Sequence, residues 1–297
     1  MTDETPAPPK PSTRATSAER ENEAREIASG DTSLTRHERS QVDENKAFSA
    51  LTMFTIIRRQ GEEELRRPLL SLWWSGIAAG IGICASVFVQ ALLWIAFAHS
   101  PYRLEIAQLG YTVGFVIVIL SRLQLFTENT LSVVLPALHK PTRERFVQWA
   151  RLWAVVLVAN LVGTFATALV VPALQIASPE QTAAMLEVSR HAMEASGWEA
   201  MMRGVPAGFF IAALVWMLPN AKGFELFLIM LMSWLIVAGG FTHIIAGSAE
   251  AFLLMLHGEV GVSAVFTQHL VPILAGNVLG GTGLFALLAY GQIHAEI

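Results

Sequence analysis

Hydrophobic positions fall into six long runs separated by short polar stretches: Leu69 to Ala98, Ile106 to Leu138, Val147 to Pro172, Gly204 to Leu218, Phe224 to His257 and Ala264 to Tyr290. A bilayer core about 30 Å thick takes roughly 20 helical residues, so each run predicts a membrane span facing lipid. Residues 68–297 are thus expected to form an all-α transmembrane domain. Ahead of it, residues 1–46 hold almost no large apolar residue and are rich in Pro, Ser, Thr, Glu and Arg. Such a segment buries too little surface to offset chain entropy, which predicts a disordered tail. Within 47–67, Phe48, Leu51, Phe54 and Ile57 fall near one helical face, the pattern of a short amphipathic helix lying on the membrane surface or of a solvated linker.

Two of the six runs are too long and carry polar or glycine-rich residues near their middles: "SRLQLFTENT" at 121–130 and "GGFTHIIAGS" at 239–248. These predict broken helices, the second and fifth. Their context repeats, because Phe126-Thr127 is followed by Asn160 in "ANLVGT" and Phe241-Thr242 by Asn277 in "GNVLGG". A duplicated three-span unit must invert between its copies, which is the plan of many transporters and channels. Free N–H groups at the start of each second half-helix favour an anion without committing a full cation. Thr127, Asn129 and Thr242 are expected to cap those half-helices. His243 is the most informative residue, since imidazole titrates near neutral pH and can share a proton with a passing anion. Asn160 and Asn277 either bond the breaks or line the pore. Arg122 and Glu128 are expected to pair with each other, and Glu250 to face a watered vestibule or snorkel.

Composition sharpens the picture in three places. The chain is 53% hydrophobic and 15% charged, yet the first 68 residues hold 11 of its 20 Lys and Arg, so the membrane body is depleted of charge. Lys140, Arg143, Arg145, Arg151 and Lys222 fall on the same side as Arg58, Arg59, Arg66 and Arg67, which predicts cytoplasmic termini by the positive-inside rule. Cys84 is the single cysteine, which excludes an internal disulfide and a CxxC metal site. The net charge of −4 without a basic patch gives no nucleic-acid footprint. No phosphate loop, metal motif or paired nucleophile and base is present, so no enzyme, cofactor or metal is expected.

The motifs resemble those of the formate/nitrite transporter family. "LQLFTENT" is similar to that family's acid-Leu-Phe-Thr break in the second helix, and "GGFTHIIAGS" to its Gly-Phe-Glu-His-Ser break in the fifth. "ANLVGT" and "HLVPILAGNVLGG" resemble the stretches that close its third and sixth helices. The resemblance covers about residues 65–292 and implies an aquaporin-like protomer of six helices in two inverted three-helix repeats, a homopentamer with one pore per subunit, and a bacterial inner membrane. It implies small monovalent anions of the formate, nitrite or hydrosulfide class as solutes. By position it makes His243 the central histidine, Thr127 the break threonine, Asn277 the sixth-helix asparagine and Phe126 a constriction. Gln124, Leu125, Glu128, Asn129, Gly239, Gly240, Phe241 and Thr242 form the two breaks. The sequence departs from the family at Gln124 and Thr242, where the family carries carboxylates, and at Ile244 and Gly247, where it carries polar residues. The family's basic residue ahead of the fourth helix has Arg190, His191 and Arg203 as nearby candidates. The expected function is passage of a weak-acid anion, possible proton coupling running through His243. Alternatives are a neutral-solute channel and a membrane-anchored regulatory protein.

Overall fold

The computed structural model describes residues 46–296, which are helical with no strand among them. Apart from Lys46, the tail expected over residues 1–46 lies outside the described residues. Helix α1 (Ala50–Arg66) begins where the Ser49 side chain accepts a bond from Thr52 N. Its apolar residues Phe54 and Ile57 are buried and packed with Leu131, Val134, Leu135, Ala212 and Ile293. The amphipathic face expected on the membrane surface is therefore covered by protein. The contact is close: a Cβ on Gly61 would lie 1.9 Å from the Ser132 carbonyl oxygen.

The body then runs through α2 (Leu69–Ala96), α3 (Arg103–Leu120), the short α4 (Asn129–Ser132) and α5 (Val134–His139), and α6 (Arg143–Ala173). It continues through α7 (Pro179–Ala192), α8 (Gly197–Met217), α9 (Glu225–Ala238), α10 (Ile244–Leu256) and α11 (Val262–Glu296). Five of the helical segments are long and apolar enough to cross a membrane, and α9 and α10 are shorter apolar helices on either side of the second break. Large apolar side chains such as Leu70, Trp74, Phe227 and Leu288 are exposed on the outside, where the surrounding solvent is hydrocarbon. The segment between the third and fourth spans carries the helix α7. Its start is a capping box: Ser178 Oγ accepts from Gln181 N at 3.1 Å, and Gln181 Oε1 accepts from Ser178 N at 2.8 Å.

Two helix pairs carry the same contact. Gly76 and Gly80 of α2 meet Asn160 and Gly163 of α6, while Gly204 and Gly208 of α8 meet Asn277 and Gly276 of α11. Small residues four apart let the backbones approach closely. A Cβ would come within 2.2 Å of the Asn160 carbonyl oxygen from Gly80, and within 2.1 Å of the Asn277 carbonyl oxygen from Gly208. This duplicated contact is the structural mark of the two inverted three-helix repeats. Helix α11 is wound with wider i→i+5 turns over Leu279–Ala286, a form concentrated where a helix adapts to a neighbour or a site. There Thr282 Oγ1 donates to the Thr130 carbonyl at 2.6 Å.

Gly80→Val and Gly208→Val are each expected to lower the melting temperature of the detergent-purified protein, since overpacking typically costs about 1–3 kcal/mol. Gly283→Ala, whose Cβ would meet nothing closer than 3.7 Å, is expected to leave it unchanged.

Candidate functional site

Each broken helix ends its first half in the same way. Arg122 and Gly240 have φ of 53° and 63°, the left-handed conformation that closes a helix. Leu123 N donates to Val118 O at 3.1 Å, and Phe241 N to Ile236 O at 2.9 Å. Glycine adopts this conformation freely, whereas arginine pays roughly 1–2 kcal/mol for it. Beyond that turn, one asparagine stitches each break to its neighbours. Asn160 Oδ1 accepts from Phe126 N at 2.9 Å, and its Nδ2 donates to the Gly76 and Gln124 carbonyls, both at 2.8 Å. Asn277 Oδ1 accepts from Ile244 N at 2.8 Å, and its Nδ2 donates to the Gly204 and Thr242 carbonyls, both at 2.9 Å.

These matched bonds correct the repeat register. Gln124 is the mate of Thr242, Leu125 of His243 and Phe126 of Ile244, so the two Phe-Thr pairs are not symmetry equivalents. Asn160 and Asn277 are fully buried, and both take the bonding role rather than the pore-lining one. Asn277, which the family resemblance places in permeation, has each polar atom of its side chain on backbone and lines neither cavity beside the breaks.

The breaks meet through two side chains. Thr127 Oγ1 and His243 Nε2 lie 2.8 Å apart, both residues buried. His243 is also the N-cap of α10: its Nδ1 accepts from Ala246 N at 3.3 Å. That acceptor role puts the ring proton on Nε2, which donates to Thr127 Oγ1 and leaves the threonine hydrogen free to donate onward. Thr127, Asn129 and Thr242 therefore do not cap the half-helices. Asn129 Nδ2 donates to Gln124 Oε1 at 3.1 Å, and Thr242 Oγ1 donates to the Ala200 carbonyl at 2.7 Å. The local partners explain both departures from the family pattern. Gln124 Nε2 donates to Glu64 Oε2 of α1 at 2.7 Å, where a carboxylate would meet a like charge. Thr242 is tied to the first two turns of α8 by its hydroxyl and by its N–H, which donates to the Arg203 carbonyl.

A cavity opens on each side of this bond. The one beside α1, about 620 Å³, has Gln124, Leu125, Glu128 and Asn129 in its wall, with Arg122 and Lys222. The one beside α7, about 230 Å³, has Gly240, Phe241, Thr242, His243 and Glu250, with Gln90, Tyr111, His191 and Arg203. The Thr127–His243 bond thus joins a break that lines one cavity to a break that lines the other. Phe126 lines neither; its ring packs on Trp153 with centroids 5.3 Å apart. Leu125, itself buried, is the apolar residue of this break that lines the α1-side cavity instead. Gly239 sits under the Phe241 ring, which a Cβ would strike at 2.4 Å. No ion pair joins Arg122 and Glu128 among the described residues, and Glu128 Oε1 is buried without a partner. Of the three basic candidates ahead of the fourth span, His191 and Arg203 line the cavity, while Arg190 binds Glu187 and Glu259. Gln90 and Tyr111 escaped the sequence reading, since each stands alone on an apolar helix with no motif around it. No group of three or more His, Cys, Asp or Glu side chains that could hold a metal occurs among the described residues.

Asn160→Ala and Asn277→Ala each strip partners from one N–H and one carbonyl at a break and from a carbonyl of α2 or α8. A buried unsatisfied group costs about 1–3 kcal/mol, so each variant is expected to lower the melting temperature markedly. Asn→Asp keeps the acceptor but turns the donor nitrogen into an oxygen facing two carbonyls at a buried site, and is expected to lower it at least as far. Outside the spans, Arg190 Nε and Nη2 donate to Glu259 Oε2 and Oε1, both at 2.7 Å, holding the Glu259 carboxyl below the usual carboxylate range. Because its folded value is depressed, this pair stabilises above the unfolded value of about 4.3 and is lost as pH falls through the folded value. Glu259→Gln is expected to lower the melting temperature slightly at pH 7 and progressively less as pH falls through the depressed folded value, the exposed pair being screened by salt.

The geometry has counterparts among known proteins. A family model for formate/nitrite transporters matches residues 51–291. "Inner membrane protein YfdC" of Escherichia coli K12 is 37% identical over 263 residues, 88% of this chain and 85% of that protein. "Formate channel FocA" of Haemophilus influenzae is 25% identical over 242 residues, 73% of this chain and 84% of that one. Two solved structures share the fold. A "pentameric formate channel with formate bound" gives a TM-score of 0.65 at 20% identity, covering 76% of this chain and 98% of that one. An "FNT family ion channel" gives 0.69 at 16% identity, covering 82% and 98%. With a family match across most of its length, and two stapled breaks meeting at a histidine and a threonine, the chain belongs to the formate/nitrite transporter family.

Proposed function

We propose that this protein forms a homopentamer in an inner membrane, with both termini cytoplasmic, and that each protomer passes a small monovalent weak-acid anion of the formate, nitrite or hydrosulfide class. The observation that carries this reading is the Thr127–His243 bond between two cavities. The relatives add support, one being named a formate channel and one solved structure being described as pentameric with formate bound. Arg122 and Lys222 in one cavity wall, and Arg203 in the other, draw an anion toward the breaks. Crossing the apolar section between them as a bare ion would cost several kcal/mol or more, whereas the neutral acid loses only hydrogen bonds. Proton-coupled passage removes that charge. His243 acts at the crossing by polarising Thr127, whose hydroxyl hydrogen is the donor offered to the solute.

Glu128, partly buried, and Glu250, buried, stand in the two walls; whenever either is ionised it opposes a bare anion, which favours, as a second reading, a channel for neutral solutes. Uptake of formate, acetate, nitrite and hydrosulfide into proteoliposomes between about pH 5 and 8 separates the two. Weak-acid passage predicts uptake that rises as external pH falls, with a loss of tenfold or more in Thr127→Val and His243→Asn. A neutral-solute channel predicts flux indifferent to pH and to membrane potential. No acid moving faster than in empty vesicles would remove the first reading.

A further inference from the structure

We propose that Glu250 is the proton-exchanging group of the pore and that, with Gln90 and Tyr111, it forms a binding site on the α7 side for a small acid carrying one ionisable O–H or S–H. The proposal rests on the weak-acid reading above and names the residue that carries the coupled proton. Glu250 lies seven residues beyond His243, about two turns along α10. It is 4% exposed and lines the same cavity as His243. Among the described residues it makes no hydrogen bond or ion pair, and its oxygens are not sealed in protein, so the carboxyl group opens into the cavity. Gln90, 5% exposed, lines that cavity with its Nε2 donor buried and unpartnered. Tyr111, 4% exposed, lines it too. Residues bearing a carboxyl group, an amide and a phenol thus line one cavity of about 230 Å³, room for a small acid or a few waters.

Buried polar groups without partners are uncommon and call for a ligand or water. His243 cannot hand over a proton from the arrangement it holds, because Nε2 is committed to Thr127 and Nδ1 to Ala246 N. The other charged or titratable groups facing this cavity are His191 on α7, Glu194 in the following turn, and Arg203 on α8, whose Nη2 donates to Glu199 Oε1. Helix α11 contributes Ile273 to the wall, and α6 contributes no residue. Glu250 is therefore the buried acid with an open path to the solute. The step is a simple proton transfer: the Glu250 O–H bond breaks, the proton joins the anion's oxygen or sulfur, and the neutral acid moves on past Thr127. Vestibule water reprotonates the Glu250 carboxylate, and the acid releases its proton to water on the far side, so one proton crosses with each anion. Gln90, whose Nε2 stands unpartnered just inside the wall, donates to the anion once its side chain turns into the cavity.

The test uses the full chain in proteoliposomes containing a pH-sensitive dye, with radiolabelled formate as probe, comparing wild type with Glu250→Gln, Glu250→Asp and Gln90→Leu. Glu250→Gln is expected to slow formate-coupled acidification tenfold or more at pH 7, where protonated formate is scarce, and to flatten the profile between about pH 5 and 8. Gln90→Leu is expected to raise KM severalfold without moving that profile. A Glu250→Gln variant with the wild-type rate and profile overturns the role of Glu250 while leaving weak-acid passage standing. Wild type that moves no weak acid overturns both. Should Glu250→Gln fail to assemble by size-exclusion chromatography, the other variants decide. A shifted profile in Glu250→Asp with a raised KM in Gln90→Leu supports the site, and wild-type behaviour in both overturns it.

Discussion

Backbone N–H and C=O groups inside a bilayer have no water to turn to, and the rest of this fold follows from how two helix breaks meet that constraint. Each break frees several such groups, and a single asparagine from the helix that closes the same repeat binds two of them together with a carbonyl of the repeat's first helix. The asparagine reaches its targets only if two helix backbones touch. Hence the glycines at 76, 80, 204 and 208 are part of the same device as Asn160 and Asn277. The i→i+5 turns of α11 serve the same end, bringing Thr282 to the carbonyl of Thr130 beside the first break. A substitution at any of these positions acts on the break, however far it lies from the solute.

On this symmetric frame the chemistry is asymmetric. The symmetry mate of His243 is Leu125, so the imidazole finds its partner in Thr127, two residues further along the other break. One strand of the crossing supplies a ring nitrogen and the other a hydroxyl, and together they present one hydrogen-bond donor between two cavities. The carboxylates that the family carries in the breaks are absent. In their place Gln124 is held by Glu64 from α1 and Thr242 by the start of α8. The first break is thereby tied to the N-terminal helix through an amide and a carboxylate that a second acid would have repelled. The acid chemistry lies instead in the cavity walls, with Glu128 on one side and Glu250 on the other.

Much of this could be read from the linear chain, because lipid makes unusually strict demands. Six apolar runs, the polar interruptions at 121–130 and 239–248, and the recurrence of Asn160 and Asn277 each violate or obey a rule that needs no neighbour to state. His243 stood out because an imidazole in an apolar run has to have a reason. Helix α7 was equally visible in the box Ser178 to Gln181, a local signal masked by the acidic composition around it.

What the sequence determined alone was the number of crossings, the positions of the breaks and the inversion between the halves, since these follow from hydrophobic length and spacing. Only the tertiary structure decided the register of the repeats, which rests on which backbone groups Asn160 and Asn277 reach across helices. It also decided that the apolar face of α1 meets Leu131, Val134 and Leu135, that Phe126 turns to Trp153, and that Gln90, Tyr111 and Glu250 share a cavity with His243. These last three lie on separate helices, and no spacing along a chain encodes which side chains a bundle will turn toward the same space.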